Sequence, residues 1–365
     1  MARAPVLAVA VLALAAAARA ATIRVRPGES IQAAVDAAPP GARILVAPGV
    51  YHEAGAVHAL TVTRDDLHLI GLARRNRPVV LEQSGGQTDG IWVSPADTLA
   101  PADDELPPCG VSGARVHRFE VRGFTVRGFA GFGVYLACVE DFRIERNVAE
   151  ADRTYSIFPV ASRRGRMSRN VASGTRSDAC LYVGQDDRVL VDRNRATDCI
   201  IGLQIENATH VRMRNNLAEG NTAGVIVDVI DGRQTTVASE NELVRNVIRD
   251  NNRPNDAPPG AETAQIVPGI GIIVNGADRT LIRANRIEDN HLAGLSLLDF
   301  CLGMPDECAR PGLAIDPKPD GNRVVGNRFA RNGIDVIYEP RGGQGNCFAR
   351  NRPRTLTGPP LPACD

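Results

Sequence analysis

Two carboxylates, Glu206 and Asp228, hold the same place in successive copies of a short motif, "GLQIE" from Gly202 and "GVIVD" from Gly224. Stacked on neighbouring strands they would lie about 4.8 Å apart. Like charges that close are unfavourable unless a cation, a shared proton or an arginine offsets them, and proteins accept that cost most often at functional sites. Such a pair can hold Ca²⁺ and through it an acidic sugar, or divide the roles of acid and base. The plainer reading is an exposed pair screened by water and arginines. Asn275, in "GIIVN", falls in the same register, and Gln204 stands two residues before Glu206. Gln204 in turn shares a register with Tyr135, Phe158 and Tyr182, an aromatic strip in a chain with only 4% aromatic residues. Aromatic faces suit the apolar face of a sugar ring, but they also stabilise strand pairs without a ligand. Asp178, in "SDACLYVGQ", flanks the strand of Tyr182 and equally suits a turn cap. The expected site is therefore Glu206 and Asp228 as catalytic or metal-binding groups, with Tyr135, Phe158, Tyr182, Gln204, Asn275 and Asp178 as substrate contacts. Arg163, Arg164 and Arg166 form a basic patch near the aromatic strip, where a uronate or plain solvent would meet them. The six histidines show no metal-ligand spacing.

What must position these residues is a repeat. Seven segments share an apolar residue, two spacers and an asparagine: Asn147, Asn170, Asn194, Asn216, Asn246, Asn285 and Asn327. A second asparagine often follows five residues later, at Asn221, Asn251, Asn290 and Asn332. The motif starts Gly202 and Gly224 are 22 residues apart, which suits one coil of three short strands and three turns. Inward asparagines would stack and satisfy turn amides that no strand pairs, while alternation puts Val, Ile and Leu inside. The expectation is an all-β fold, a right-handed single-stranded parallel β-helix with coils of about 22 residues. A leucine-rich repeat shares the period but needs more leucine, and a doubly wound fold needs helices between strands. The one helical stretch, Ser30 to Ala38, reads as a cap on the open end of the solenoid.

Strand alternation then predicts two outward, solvent-facing columns. The first is Tyr135, Phe158, Tyr182, Gln204, Ile226, Ile273, Ser296 and Asp335; the second is Ala137, Val160, Gly184, Glu206, Asp228, Asn275, Leu298 and Ile337. Insertions near 94–115, 228–240, 252–268 and 299–320 interrupt the period. The last three are expected to wall a groove around Glu206, Asp228 and Asn275, since long loops in a solenoid are often functional.

The opening "SIQAAVDAAPPGARILVAPGVYHE" and the blocks "YSIFPVAS", "SDACLYVGQ", "GLQIENATH", "NNRPNDAPPG" and "VPGIGIIV" resemble one group of proteins. It is the exported bacterial parallel β-helix repeat proteins of the pectin-lyase-like superfamily, and the resemblance covers nearly all of the chain after residue 20. One departure is Cys180, where the group has glycine, which fits an added local disulfide. The resemblance implies the fold and leaves the activity open, because the superfamily holds lyases, hydrolases, esterases, epimerases and non-enzymatic proteins. The Asp-Pro-His-Asp block of mannuronan epimerases and the Gly-His-Gly of polygalacturonases are absent here. The expected function, read from the carboxylate pair and the aromatic strip on one loop-walled face, is an exported carbohydrate-active protein that binds, cleaves or epimerises an acidic polysaccharide, with lyase or epimerase chemistry ahead of hydrolysis. The alternative is a non-catalytic periplasmic or surface glycan-binding module.

Residues 1–20 read as a signal peptide: Arg3, an apolar run from Val6 to Ala18, then Ala18-Arg19-Ala20 with a cut after Ala20. That run is too short for a membrane span, and residues 21–365 are expected to form one monomeric domain, periplasmic or secreted. Eight cysteines in an exported chain imply disulfides, with Cys301–Cys308 and Cys347–Cys364 the most local choices. The 42 basic and 42 acidic residues cancel, so no global field draws nucleic acid or an anionic membrane.

Overall fold

Each repeat carries three apolar-alternating stretches separated by turns, and each stretch can bury its inner side only against the coil above and below. The computed structural model describes residues 20–96, 109 and 113–364. The expected signal peptide, up to residue 19, and most of the loop near 94–115 lie outside the described residues. Within them the chain winds as a parallel β-helix. One coil gives Arg212–Arg214 to a first sheet, Leu217–Glu219 to a second and Ala223–Asp228 to a third, here called the face sheet. The next coil pairs with it in parallel through Glu242–Val244, Val247–Arg249 and Ile270–Asn275. The face sheet runs through 11 strands, from His58–Val62 to Leu356–Thr357.

Inward residues of the face sheet form a continuous stack. Leu181, Leu203, Val225, Ile272 and Leu295 are each buried, every one covering its neighbour in the next coil. The turns are held by the asparagine ladder expected from the repeat. Asn216 Nδ2 donates to Val191 O at 3.0 Å and to Asn246 Oδ1 at 3.0 Å, and its backbone N–H reaches the same Oδ1 at 2.9 Å. The pattern runs from Asn147 to Asn327 and ends on Asn351. A second ladder joins Asn221, Asn251, Asn290 and Asn332. The residue before each ladder asparagine turns the chain: Arg146, Arg169, Arg193, Asn215 and Arg245 have φ of 53–56°. That left-handed bend costs roughly 1 kcal/mol for a residue with a Cβ, and it aims the next amide inward onto the ladder.

The helix Ile31–Ala37 closes the N-terminal end. Ser30 caps it by accepting from Ala33 N at 3.0 Å, and Ile31 and Val35 press onto the first coil. Four disulfides are present: Cys109–Cys138, Cys180–Cys199, Cys301–Cys308 and Cys347–Cys364. They include both local pairs read from the sequence and the bridge at Cys180. The basic patch is spent on ion pairs, Arg163 and Arg164 with Glu140 and Arg166 with Glu145.

Two expectations need correction. In the last coils Ser296 pairs with Ile337 and Leu298 with Glu339, so Asp335 and Ile337 each stand two places from their expected columns. The turn at 331–333 has the same three residues as 220–222, but Gly333 falls just before its strand, Ile334–Glu339, whereas Gly224 and Gly294 are the second residues of theirs, so it is no guide to register. The second correction is larger. The outward columns are covered rather than solvent-facing. Tyr135, Phe158 and Tyr182 are buried with Trp92, Phe132 and Tyr155 in a second apolar cluster outside the solenoid core.

Candidate functional site

Strand register delivers the site. Gly184, Glu206, Asp228 and Asn275 lie side by side on four successive coils, and Tyr182, Gln204, Ile226 and Ile273 form the parallel column. Glu206 and Asp228 thus stand one layer apart. Three loops then close over them. Segment 229–241 brings Ile230, tied by Asn207, whose Oδ1 accepts from Ile230 N at 2.8 Å while its Nδ2 donates to Ile230 O at 2.9 Å. Segment 252–269 brings the short 3-10 helix Glu262–Gln265, braced by Asn255 Nδ2 on Thr263 O at 2.8 Å and by the Thr263 hydroxyl on Ser177 O. Segment 299–322 brings the helix Phe300–Gly303 and Met304, capped by Asp299 on Cys301 N at 2.8 Å and stapled by Cys301–Cys308. Two of the loops meet where Ala314 N donates to Asp231 Oδ1 at 2.9 Å.

Together they wall a cavity of about 180 Å³ that remains open to solvent at its mouth. Its floor is polar: Gln204, Glu206, Asp228 and Asn275, with Asp178 and Glu262 at the sides. Its walls are apolar, among them Ile201, Ile226, Ile230, Ile266, Ile273, Phe300 and Met304. The expected open carboxylate pair is instead buried, Glu206 at 3% and Asp228 at 8% exposure.

Two charges brought together out of water must be compensated, and the floor shows how. Gln204 Nε2 sits between them, 3.3 Å from Glu206 Oε2 and 3.2 Å from Asp228 Oδ2. Arg233 reaches in from the 229–241 loop, its Nε 3.0 Å from Glu206 Oε1 and its NH2 group 3.5 Å from Glu262. The Tyr182 hydroxyl also bonds Glu206; burial first, then the Glu206 charge, pushes that phenol well up. Arginine and phenol donors both favour the carboxylate form of Glu206. Asp228 is treated differently. Among the described residues no ion pair holds it, and burial, followed by the Glu206 charge, raises its carboxyl well above the usual range; the Gln204 N–H opposes this only in part. The two groups therefore differ in their affinity for a proton, the donors on Glu206 favouring its charged form and burial favouring the neutral form of Asp228.

Of the residues expected from sequence, Gln204, Glu206, Asp228, Asn275 and Asp178 line the cavity. Tyr182 supports it through Glu206. Tyr135 and Phe158 do not reach it; their rings stack into the neighbouring apolar cluster, Tyr135 on Trp92 at 4.0 Å between centroids and Phe158 edge-on to Tyr182 at 4.6 Å. Asp178 is engaged by the Tyr155 hydroxyl at 2.7 Å. Sequence reasoning missed Arg233, Glu262 and Met304, because loop residues carry no period. It also missed Trp92, which leads the aromatic column but precedes the insertion that hides its register.

A disulfide-bonded parallel β-helix whose one covered face holds a carboxyl-floored cavity belongs to the pectin-lyase-like class. Residues 111–354 match the family described as "Periplasmic copper-binding protein (NosD)", and the chain belongs to that family. Family and disulfides together point to an exported protein. Among solved structures it is similar to the mannuronan C-5 epimerase AlgE4 A-module of Azotobacter vinelandii, with 18% identity, TM-score 0.61 and 92% of each chain covered. The periplasmic alginate epimerase AlgG is similar over 92% of this chain and 84% of its own, with 15% identity and TM-score 0.54. The Dettilon tailspike protein (gp208) shares 13% identity and TM-score 0.55, over 91% of this chain and 58% of its own. At these identities the likeness is one of fold. No curated protein matches the sequence.

Copper is the group that the family description implies. Its favoured donors are thiolate, thioether and imidazole. All eight cysteines are in disulfides. His58, His68 and His210 are each engaged by carboxylates in separate coils. Among the described residues no three His, Cys, Asp or Glu side chains converge as a metal site requires. The residues present do not fit copper.

Proposed function

We propose that this is an exported, monomeric carbohydrate-active protein that takes a single ring of a polysaccharide, an end or a branch, into the cavity over Glu206 and Asp228. The observation that carries this reading is the loop-walled cavity itself: about 180 Å³, apolar walls and a floor of two buried carboxyl groups bridged by Gln204. That is smaller than the pockets that take drug-sized ligands, so it admits one ring and no length of polymer. Isoleucine walls suit the C–H face of a sugar, and the floor suits its hydroxyl groups. Where cleavage or epimerisation follows, Asp228 is the proton carrier and Glu206 the carboxylate that steadies charge. Ca²⁺ has a weaker place here, because the Gln204 N–H and Arg233 already take the oxygens that a hard cation would need.

The full chain should bind at least one member of an oligosaccharide panel that spans neutral, amino and acidic sugars, alginate and pectate fragments among them, and Glu206→Gln should abolish that binding. New unsaturated or reducing ends would mark cleavage, and a changed proton spectrum of the recovered polymer would mark epimerisation. Absence of binding across the panel overturns the reading. A non-catalytic module is the second reading, favoured by the Arg233 and Tyr182 contacts that tie Glu206 down. Binding without any turnover would select it.

A further inference from the structure

The polar atoms that the cavity floor leaves unsatisfied are acceptors. Gln204 Oε1 and Asn275 Oδ1 are buried and make no hydrogen bond within the described protein. The Gln204 side chain is buried, and its orientation is set by the Glu206 carboxylate: turned over, its oxygen would face that acceptor at 3.3 Å. Its acceptor therefore stays on the floor without a partner. Asp228 adds a carboxyl group whose hydrogen bonds come from the Gln204 amide, at 3.2 and 3.4 Å. Asp228 and Asn275 are direct strand neighbours. Among the described residues no arginine, lysine or histidine lines the cavity.

A buried acceptor without a donor is costly, and a ligand that supplies donors removes that cost. Hydroxyl groups supply one each. An ammonium group supplies three and a positive charge beside Asp228. A uronate would bring only more acceptors and a negative charge. We propose that the ring held in this cavity carries a protonated amine, a cationic amino sugar, with its ammonium among Gln204 Oε1, Asn275 Oδ1 and Asp228. The ring rests on the carbohydrate reading above; the ammonium follows from the acceptors alone.

Binding then moves a proton. Asp228 holds its proton more tightly than an ordinary carboxyl, by burial first and then by the facing charges of Glu206, Asp178 and Glu262, while Tyr182 and the Arg233 guanidinium are engaged by Glu206. An ammonium beside it favours the charged form, so the proton leaves as the ligand enters. Affinity for the amine rises with pH as Asp228 ionises more readily.

The experiment is calorimetric titration of the full chain with D-glucosamine, D-glucose, D-glucuronate and cyclohexylammonium, each in two buffers of different ionisation enthalpy. D-glucosamine should bind at least about tenfold more tightly than D-glucose, the scale of one charge-assisted hydrogen bond, with proton release shown by the buffer dependence. Asp228→Asn, and separately Gln204→Met, should remove that preference; the buffer dependence of the unmutated protein tests the same point if either variant misfolds. Glucose or glucuronate binding as well as glucosamine overturns the amine and leaves the carbohydrate reading standing. Cyclohexylammonium binding without glucosamine supports the amine site and ends the carbohydrate reading. No binding of either amine overturns the proposal.

Discussion

The face sheet passes through two different environments within the seven coils from Trp92 to Asn275. Around Trp92, Tyr135, Phe158 and Tyr182 its first outward column is aromatic, and ring packs on ring with each of the four buried. Around Gln204, Glu206, Asp228 and Asn275 the second column is polar and the first passes from Gln204 to Ile226 and Ile273, and loops arch over them leaving a cavity. The backbone register is the same throughout. What differs is the side chains and what covers them. The aromatic half is satisfied by its own packing, while the polar half keeps acceptors that the protein does not pair. A β-helix can therefore use one outward face as a second core and as a binding site, a few coils apart.

The comparison breaks most readily in the aromatic half. Phe158→Ala should lose about 3–5 kcal/mol of stability, the usual cost of emptying a buried aromatic site. Ligand binding per folded molecule should stay unchanged. Denaturant unfolding with binding measured on the folded fraction checks both. A stable Phe158→Ala that no longer binds sugar would return the aromatic strip to the site.

Next is the pair that ties loop to floor. Arg233→Leu leaves Glu206 buried beside Asp228 without its guanidinium, and removing one partner of a buried ion pair costs about 3 kcal/mol. The side chains of Arg233 and Glu206 are 10% and 4% exposed, so little solvent screening softens that loss. The cavity should open as the 229–241 loop loosens, and hydrogen exchange of that segment would report it. An unchanged melt would mean that Gln204 and Tyr182 satisfy Glu206 by themselves.

The fold was legible in the sequence because its determinants are periodic. The ladder asparagines, the inward Leu181–Leu203–Val225 stack and the register of Glu206 over Asp228 all follow from counting. Aperiodic features were not legible. Arg233 lies five residues past the end of its strand, and nothing in its spacing points back to Glu206. Alternation told which side Tyr135 and Glu206 face but not what lies over them, so a column read as solvent-facing proved to be covered. The copper implied by the family description has no counterpart in spacing or geometry, since cysteines in disulfides cannot serve as thiolate ligands.

A smaller effect is expected at the third loop. Replacing Cys301 and Cys308 together by serine opens a short bridge, worth about 2 kcal/mol by loop-closure entropy. Most of that should appear as local loosening of 299–322 and weaker ligand binding, with the solenoid melt nearly unmoved. A large fall in the global melt would show that this wall is part of the core.

The finest test is Asp228 itself. Its carboxyl titrates higher in the folded protein than in the unfolded chain, with burial the first cause and Glu206 the second. The folded state therefore binds the proton more tightly. The stability this contributes is fully present below the unfolded value of about 3.9, and it is lost as pH rises through the higher folded value. Asp228→Asn mimics the neutral form at every pH. Mutant and wild type should melt together near pH 4, and the mutant should gain on the wild type as pH rises. The gain is a difference between two melts, so Asp152 and Asp186, buried carboxyls whose affinity for a proton is also raised, cancel from it. Adding Ca²⁺ at about 1 mM, the range of weak extracellular sites, should leave the gap unchanged. D-glucosamine should narrow it, because the ammonium stabilises only the charged wild type. A mutant that melts lower than wild type at neutral pH would mean that Asp228 is held charged by a partner, and the division of roles between the two carboxyls would fall.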